Sequence, residues 1–307
     1  MASLRDIRKR ISSVKSTQQV TRAMKMVAAA KLRKAQERTF EMRAYAYKLG
    51  EIISHLKQHI DPSAHELFQP RDEVKNVLLI IVTADRGLAG AFNANIIKLA
   101  EQTIKERYES YHAAGALHLI CIGRKSHEYF RRRNHQLVGD FRGVFNDLEF
   151  EDASRIVNTA VEGYREGRWD EVQVIYNEFK NTISQNRIVE PLLPIPPDQF
   201  RTPVMERVVE RVAKTKEGQS VDYIFEPDPI SILNVLVPRF LHFTVWRALL
   251  ESNAAEQGAR MVAMDNATSN AEDLIRDLKL KYNRARQDAI TKELIEITSG
   301  ADALGKA

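Results

Sequence analysis

The chain has 307 residues, 44% of them hydrophobic and 28% charged, a balance that belongs to a folded globular protein and excludes a disordered one. Its one cysteine, Cys121, excludes an internal disulfide and a cysteine-built zinc site, and the longest apolar run, near Val77–Val82, falls far short of the roughly 20 residues that cross a bilayer. The net charge of +5 is unevenly spread: residues 1–60 hold 14 Lys/Arg against Asp6, Glu37, Glu41 and Glu51, a local +10 that leaves −5 for the rest.

The first predicted element is a long helix over residues 4–60. Apolar or small residues recur at heptad spacing through Ile7, Val14, Thr21, Ala28, Ala35, Met42, Leu49 and Leu56. A companion series runs through Leu4, Ile11, Gln18, Lys25, Leu32, Thr39, Ala46, Ile53 and Ile60. Neither series contains Gly or Pro, and a 3-4 spacing held this long predicts a coiled-coil seam. At 1.5 Å per residue the helix would span on the order of 85 Å, so its partner must be long as well. Because the pattern starts at Leu4, no signal peptide is expected, and a bacterial protein is favoured. The cationic helix would attract an acidic partner or a phosphate backbone within about a Debye length, ~8 Å in physiological salt. His55 and His59 have the i, i+4 spacing of a helical metal pair, but no third ligand accompanies them, and no metal site is expected.

Between residues 74 and 222 the pattern changes to a βαβ series, which predicts a mostly parallel sheet in a Rossmann-like α/β domain. Strand signals lie at Lys75–Thr83, Leu117–Gly123, Glu171–Asn177 and Arg187–Ile195, and helix signals at Asn95–Ala113, Lys125–Arg133 and Glu151–Arg165. The turn Thr83–Asn93 joins a buried strand to a helix and carries Gly87 and Gly90, the kind of place where phosphate binds a helix N-terminus. It has neither dinucleotide-binding nor P-loop glycine spacing. Gly123-Arg124-Lys125-Ser126 imitates the end of a P-loop, but Arg124 separates the glycine from the lysine and His118 stands where the first glycine belongs. His127-Glu128 has Arg131 where a metalloprotease helix has its second histidine. Arg131-Arg132-Arg133 could meet nucleic-acid phosphates, yet aromatic residues for base stacking are sparse in the cationic first helix. No catalytic constellation emerges. The Thr83–Asn93 turn keeps one alternative open, a nucleotide-dependent α/β enzyme with helical arms.

After a proline-rich stretch and an ambiguous polar segment at 205–222, residues 226–307 predict the second long helix, its start bounded by Pro227, Pro229 and Pro238. Its seam runs through Phe240, Phe243, Arg247, Leu250, Ala254, Gln257, Met261, Met264, Thr268, Ala271, Ile275, Leu278, Tyr282, Ala285 and Ala289. The polar and small residues in both seams lower stability and fix register. After Ala289 the apolar frame slips by one residue to Ile290, Leu294, Ile297, Ala301 and Leu304, turning the stripe away from its partner. The fold expected is therefore a long antiparallel two-helix coiled coil made from the chain's two ends, plus the central α/β domain.

Three stretches resemble the gamma subunit of F-type ATP synthases: Thr17–Ala35 (TQQVTRAMKMVAAAKLRKA), Thr83–Asn93 (TADRGLAGAFN), and the C-terminal run from Ala259–Met264 (ARMVAM) through Tyr282–Gln287 (YNRARQ) to Ile290–Ala301 (ITKELIEITSGA). The resemblance covers both ends and the start of the middle domain, and is less distinct over 130–215. It implies a non-catalytic rotor shaft, one copy per complex, which binds no nucleotide, cofactor or nucleic acid itself. Its implied partners are a ring of alpha and beta subunits, the epsilon subunit and the membrane c-ring, on the cytoplasmic side of a bacterial plasma membrane. Met24 and Lys25 would lie in the coupling region, facing Arg260, Gln287 and Thr291. Arg286 and Gln287 would meet an acidic catch loop of beta, and Arg33 and Lys34 its acidic lever segment. Tyr223, Phe225 and Glu226 would form a foot on the c-ring. Lys25 stands where many relatives have an acidic residue, and the regulatory cysteine pair of chloroplast members is missing.

Overall fold

The structure, a computed structural model, describes residues 3–58, 65–195 and 226–304. Contacts divide the chain into two compact units, Met1–Val27 with Met261–Ala307, and Ala28–Arg260. Two helices contribute to both: α1, Leu4–Gln58, and the last helix, which ends at Leu304.

In the first unit the helices run antiparallel, in a register that sets Thr21 against Thr268, Lys25 against Asp265 and Arg8 against Tyr282. Helix α1 opens with a reciprocal cap: the Asp6 amide donates to Ser3 Oγ (3.2 Å) and the Ser3 amide donates to Asp6 Oδ2 (3.1 Å). Among the described residues of this unit only Thr21, Met264, Ala271 and Leu278 are buried. The other seam positions, Ile7, Ile11, Val14, Ile275, Tyr282, Ala285 and Ala289 among them, are half-buried, because among the described residues each helix has a single neighbour to cover its stripe.

The second unit contains a five-stranded sheet: β1 (Val77–Val82), β2 (Leu117–Ile122), β3 (Gln136–Leu137), β4 (Glu171–Phe179) and β5 (Gln185–Leu193), in the order β3-β2-β1-β4-β5. Strands β3, β2, β1 and β4 are parallel. Helices α2 (Phe92–Arg107), α3 (Glu109–Ala113), α4 (Arg124–Arg131) and α5 (Phe150–Arg165) connect them. The final helix, α6, is Pro229–Leu304. Side chains of β1 alternate between two cores. Leu78, Ile80 and Val82 join α5, Ile53 and Leu56 of α1, and Leu241, Val245 and Leu249 of α6; Val77, Leu79 and Ile81 join Ile96, Ala100 and Ile104 of α2 and Phe130 of α4.

Several sequence expectations need correction. Strand β5 pairs antiparallel with β4, since the turn between them is too short for the crossover that a parallel strand needs. In that turn Asn181 Oδ1 accepts from the amides of Ile183 (3.0 Å) and Ser184 (2.7 Å). The helix expected over 95–113 is two helices parted at Tyr108, whose ring is buried and whose hydroxyl donates to Glu171 (2.6 Å). The edge strand β3 is too short to leave a periodic signal. Pro238 does not bound α6 but lies inside it. The helix starts at Pro229, where the missing amide costs nothing, and Asp228 accepts from the amides of Ile230 (3.0 Å) and Ser231 (2.9 Å). By length and composition alone, Pro229–Ser299 is also apolar enough to cross a membrane, which the uninterrupted-run criterion missed. Its Leu233, Val237, Leu241, Val245 and Leu249 are buried in the same core as the sheet.

Candidate functional site

The residues singled out from sequence fall on both helices. In the terminal unit Met24 is half-buried, while Arg286, Gln287 and Thr291 are exposed. Lys25 Nζ lies 2.6 Å from Asp265 Oδ1, with both side chains partly open to solvent. Lys25 therefore does not face Gln287 or Thr291. The antiparallel register that puts Arg8 beside Tyr282 places Gln287 level with the first turn of α1. The seam at this level is polar: the Thr21 and Thr268 hydroxyls are 2.8 Å apart, one donating to the other, and the carbonyls of Gln18 and Met264 lie within reach of the hydroxyl on their own helix. Around this seam α1 presents Arg5, Arg8, Lys9, Arg10, Lys15 and Arg22, all exposed, together with the exposed apolar side chains of Val20, Met26 and Val27. Ile290, Leu294, Ile295 and Ile297 of α6 are exposed too.

In the second unit Arg33 and Lys34 are exposed, and Arg33 Nε reaches Glu37 at 3.4 Å, too open a pair to fix either side chain. Arg260 is more constrained. One guanidinium nitrogen donates to the Gly87 carbonyl (2.5 Å) and another to Glu256, which is buried. Burial raises the Glu256 pKa against the pull of Arg260. Two of the family-like stretches thus meet through one side chain: Arg260 ties α6 to the turn Thr83–Asn93.

That turn was the candidate nucleotide site, and its polar groups are already engaged. Asn93 Oδ1 accepts from the Ala84 amide (2.8 Å). Thr83 Oγ1 accepts from the Ser126 amide (2.8 Å). Asp85 Oδ1 accepts from the Arg124 amide at the start of α4 (2.9 Å) and from Gly143 (2.7 Å), and Asp85 Oδ2 from Phe145 (3.2 Å). The first turn of α4 would be the natural phosphate seat of this fold, and the chain's own carboxylate sits on it. Gly123 serves packing: its φ is +86° and a Cβ there would meet the Thr83 carbonyl oxygen at 2.1 Å.

The other sequence candidates resolve differently. His127 is buried with its pKa lowered by that burial, and no cluster of three or more metal-ligating side chains occurs among the described residues. Arg131, Arg132 and Arg133 are exposed, Arg133 lying over the Tyr129 ring. Burial pushes the Cys121 thiol up to about 12, which keeps it inert. Glu226 is exposed; Tyr223, Phe225 and His59 lie outside the described residues.

A buried ionic network escaped the sequence reading. Arg43 of α1 grips Glu251 of α6 through two bonds, Nε to Oε1 (2.5 Å) and Nη2 to Oε2 (2.7 Å). Arg43 Nη2 also donates to the Phe179 carbonyl (2.8 Å), and the Phe179 amide donates to Glu251 Oε2 (3.0 Å), so both helices hold the end of β4. One turn earlier on α6, the fully buried Arg247 donates to both oxygens of Glu190 on β5 (2.6 and 2.7 Å) and to the Tyr176 hydroxyl on β4 (2.9 Å). Burial works against the Arg247 charge, but the adjacent Glu190 and Tyr176 outweigh it and raise its pKa. Burial also raises the Glu251 pKa, opposed by Arg43. Arg247 did mark itself in sequence, as a charged residue in an apolar seam.

A family model described as ATP synthase matches residues 3–304. The ATP synthase gamma chain of Salinibacter ruber is 60% identical over 304 residues, which is 99% of this chain and 99% of its own length. The chain belongs to the ATP synthase gamma chain family. The gamma chain of Chloroherpeton thalassium is 52% identical over the same share of both chains. Among solved structures, a chain of the Tetrahymena thermophila mitochondrial ATP synthase central stalk and c-ring is 25% identical, with a TM-score of 0.54 over 81% of this chain and 99% of that one. A chain from the Euglena gracilis mitochondrial ATP synthase, in an OSCP/F1/c-ring structure, shares the fold at 19% identity, with a TM-score of 0.62 over 98% of this chain and 94% of that one. A gamma chain is the rotor subunit of the central stalk and is not itself catalytic; the complex makes ATP.

Proposed function

We propose that this rotor subunit turns inside a ring of alpha and beta subunits through the helix pair 3–27 and 261–304, and rests on the c-ring with epsilon through its other end. The observation that carries this reading is the surface of the pair, cationic on α1 and apolar at Val20, Met26, Val27 and the α6 tip, with none of those apolar side chains covered among the described residues. In this reading residues 1–60 and 226–307 supply the two helical segments, and 74–222 the base. Met24, Lys25, Arg260, Arg286, Gln287 and Thr291 bear on the coupling region of the ring, and Arg33 and Lys34 on acidic segments of beta. Residues Tyr223, Phe225 and Glu226 touch the c-ring, at the cytoplasmic side of a bacterial plasma membrane.

The mechanism needs no chemistry from the chain. A rod whose cationic and apolar faces are unequal binds the states of the ring unequally at each angle, so turning it shifts their populations in sequence. ATP chemistry stays in the ring. Acidic surfaces would steer α1 and penalise wrong orientations more than they add affinity. The test is co-purification of a tagged chain from its own host. Recovery of alpha, beta, epsilon and c subunits is expected; recovery of none of them would refute the reading.

A further inference from the structure

The buried ions of the second unit have no part in the reading above. Four ionisable side chains, the buried Arg43, Glu251 and Arg247 and the partly buried Glu190, pair within the core, with the Tyr176 hydroxyl bonded to Arg247 and to Glu190 Oε2 (2.8 Å). Stability alone is a poor reason for them, since a buried ion pair is often matched or bettered by apolar residues of similar volume. What apolar contacts lack is direction. They oppose separation of a helix from a sheet, but they oppose rotation about the helix axis only weakly, because one ridge of side chains can slide to the next groove.

The bonds here are directional and act on every element concerned. Arg43 and Glu251 join α1 to α6, and both are bonded to the backbone of Phe179 at the end of β4. Arg247 reaches both oxygens of Glu190 through Nη2, fixing α6 to β5, and reaches β4 through Nη1 and the Tyr176 hydroxyl. Rotation of either helix breaks several charge-assisted bonds in a site largely closed to water. Gly258 adds close approach, since a Cβ there would contact Thr182 and Phe179 of the β4–β5 hairpin at 3.4 to 3.6 Å.

We propose that the Arg43–Glu251 and Arg247–Glu190–Tyr176 bonds are a torsional clamp, which fixes the angular position of α1 and α6 on the sheet so that torque passes between them without slip. These are positioning residues, and the proposal rests on the rotor reading. The experiment uses the complete synthase in proteoliposomes, with ATP hydrolysis and ATP-driven proton uptake measured on the same preparation. Two variants each disable one half of the clamp. Glu251→Gln keeps the shape and loses the charge. The triple variant Arg247→Met, Glu190→Leu, Tyr176→Phe replaces the directional bonds of the Arg247 half by apolar packing and leaves no polar side chain of that half buried.

The triple variant is expected to assemble and to hydrolyse ATP within about twofold of the parent, while protons moved per ATP fall roughly threefold or more. Glu251→Gln should show the same loss to a smaller degree. A merely structural network would lower hydrolysis and pumping together and leave their ratio unchanged. An unchanged ratio in an assembled triple variant overturns the clamp, and so does failure of both variants to assemble, which would make the network a folding device. Failure of the parent chain itself to support pumping would instead refute the rotor reading.

Discussion

The same two helices are held in contrasting ways in the two units. Over 3–27 and 261–304 they touch along a half-covered seam with a threonine pair at Thr21 and Thr268 and an open ion pair at Lys25 and Asp265. Between 28 and 260 the helices bury Leu49, Ile53 and Leu56 of α1 and a run of α6 residues around Leu249, and they are bonded to strands by ions closed to water. The difference teaches where rigidity comes from. A lone pair of helices gains little from burial, so its stability is small and its surface is free for partners; helices seated on a sheet gain both burial and a fixed angle.

Four measurements can break or sharpen that contrast. The largest effect is expected for Gly123→Val, because a side chain would collide with the Thr83 carbonyl at a positive φ. It should cost the second unit ~5 kcal/mol or more, enough to prevent folding, as thermal unfolding will register. Normal melting of that variant would remove the argument about the β2–α4 turn. Next, Glu251→Ala leaves Arg43 buried without its carboxylate and should cost about 3–4 kcal/mol by urea unfolding. A cost below ~1 kcal/mol would mean that water reaches the site and that the two units are held alike.

The third measurement uses pH. All eight histidines lie between residues 55 and 242, and none in 3–27 or 261–304. Burial lowers the pKa of His65, His118, His127, His135 and His242 in the folded chain. Below the ordinary value near 6.5 the unfolded chain gains protons that the fold resists, so stability present above that value falls as the pH drops through it. Hydrogen exchange at pH 7.5 and 5.5 should show loss of protection in 28–260 beyond any change in the helix pair. Equal loss in both would contradict the assignment. Smallest is Lys25→Ala: its ion pair is partly exposed and its removal should change stability by about 1 kcal/mol or less. A cost above ~2 kcal/mol would make the seam as tightly built as the core.

The helices were legible because a heptad stripe is a local signal: Ile7, Val14 and Thr21 state their own period, as do Met264, Ala271 and Leu278. The parallel strands were legible from short β-branched runs. The direction of β5 was not, because Arg187–Ile195 reads alike in either direction and only the short turn at Asn181 decides it. Long-range polar pairings were invisible too. Asp85 looks like any turn aspartate until Gly143 and Phe145 arrive from far along the chain, and Arg43 looks like one more cation of a cationic helix until Glu251 closes on it. Lys25 was noticed, but its partner Asp265 depends on a register that heptads alone do not fix.

The antiparallel register has a mechanical corollary. Helix α1 begins at Leu4, about one turn of α6 past Arg8's partner Tyr282, whereas α6 continues to Leu304, and residues 290–299 are exposed all round. Two joined helices behave as a beam, since bending one way stretches one member and compresses the other. A single helix has no such opposing member. Flexural stiffness therefore drops beyond the start of α1, and thermal bending gathers in the last turns of α6.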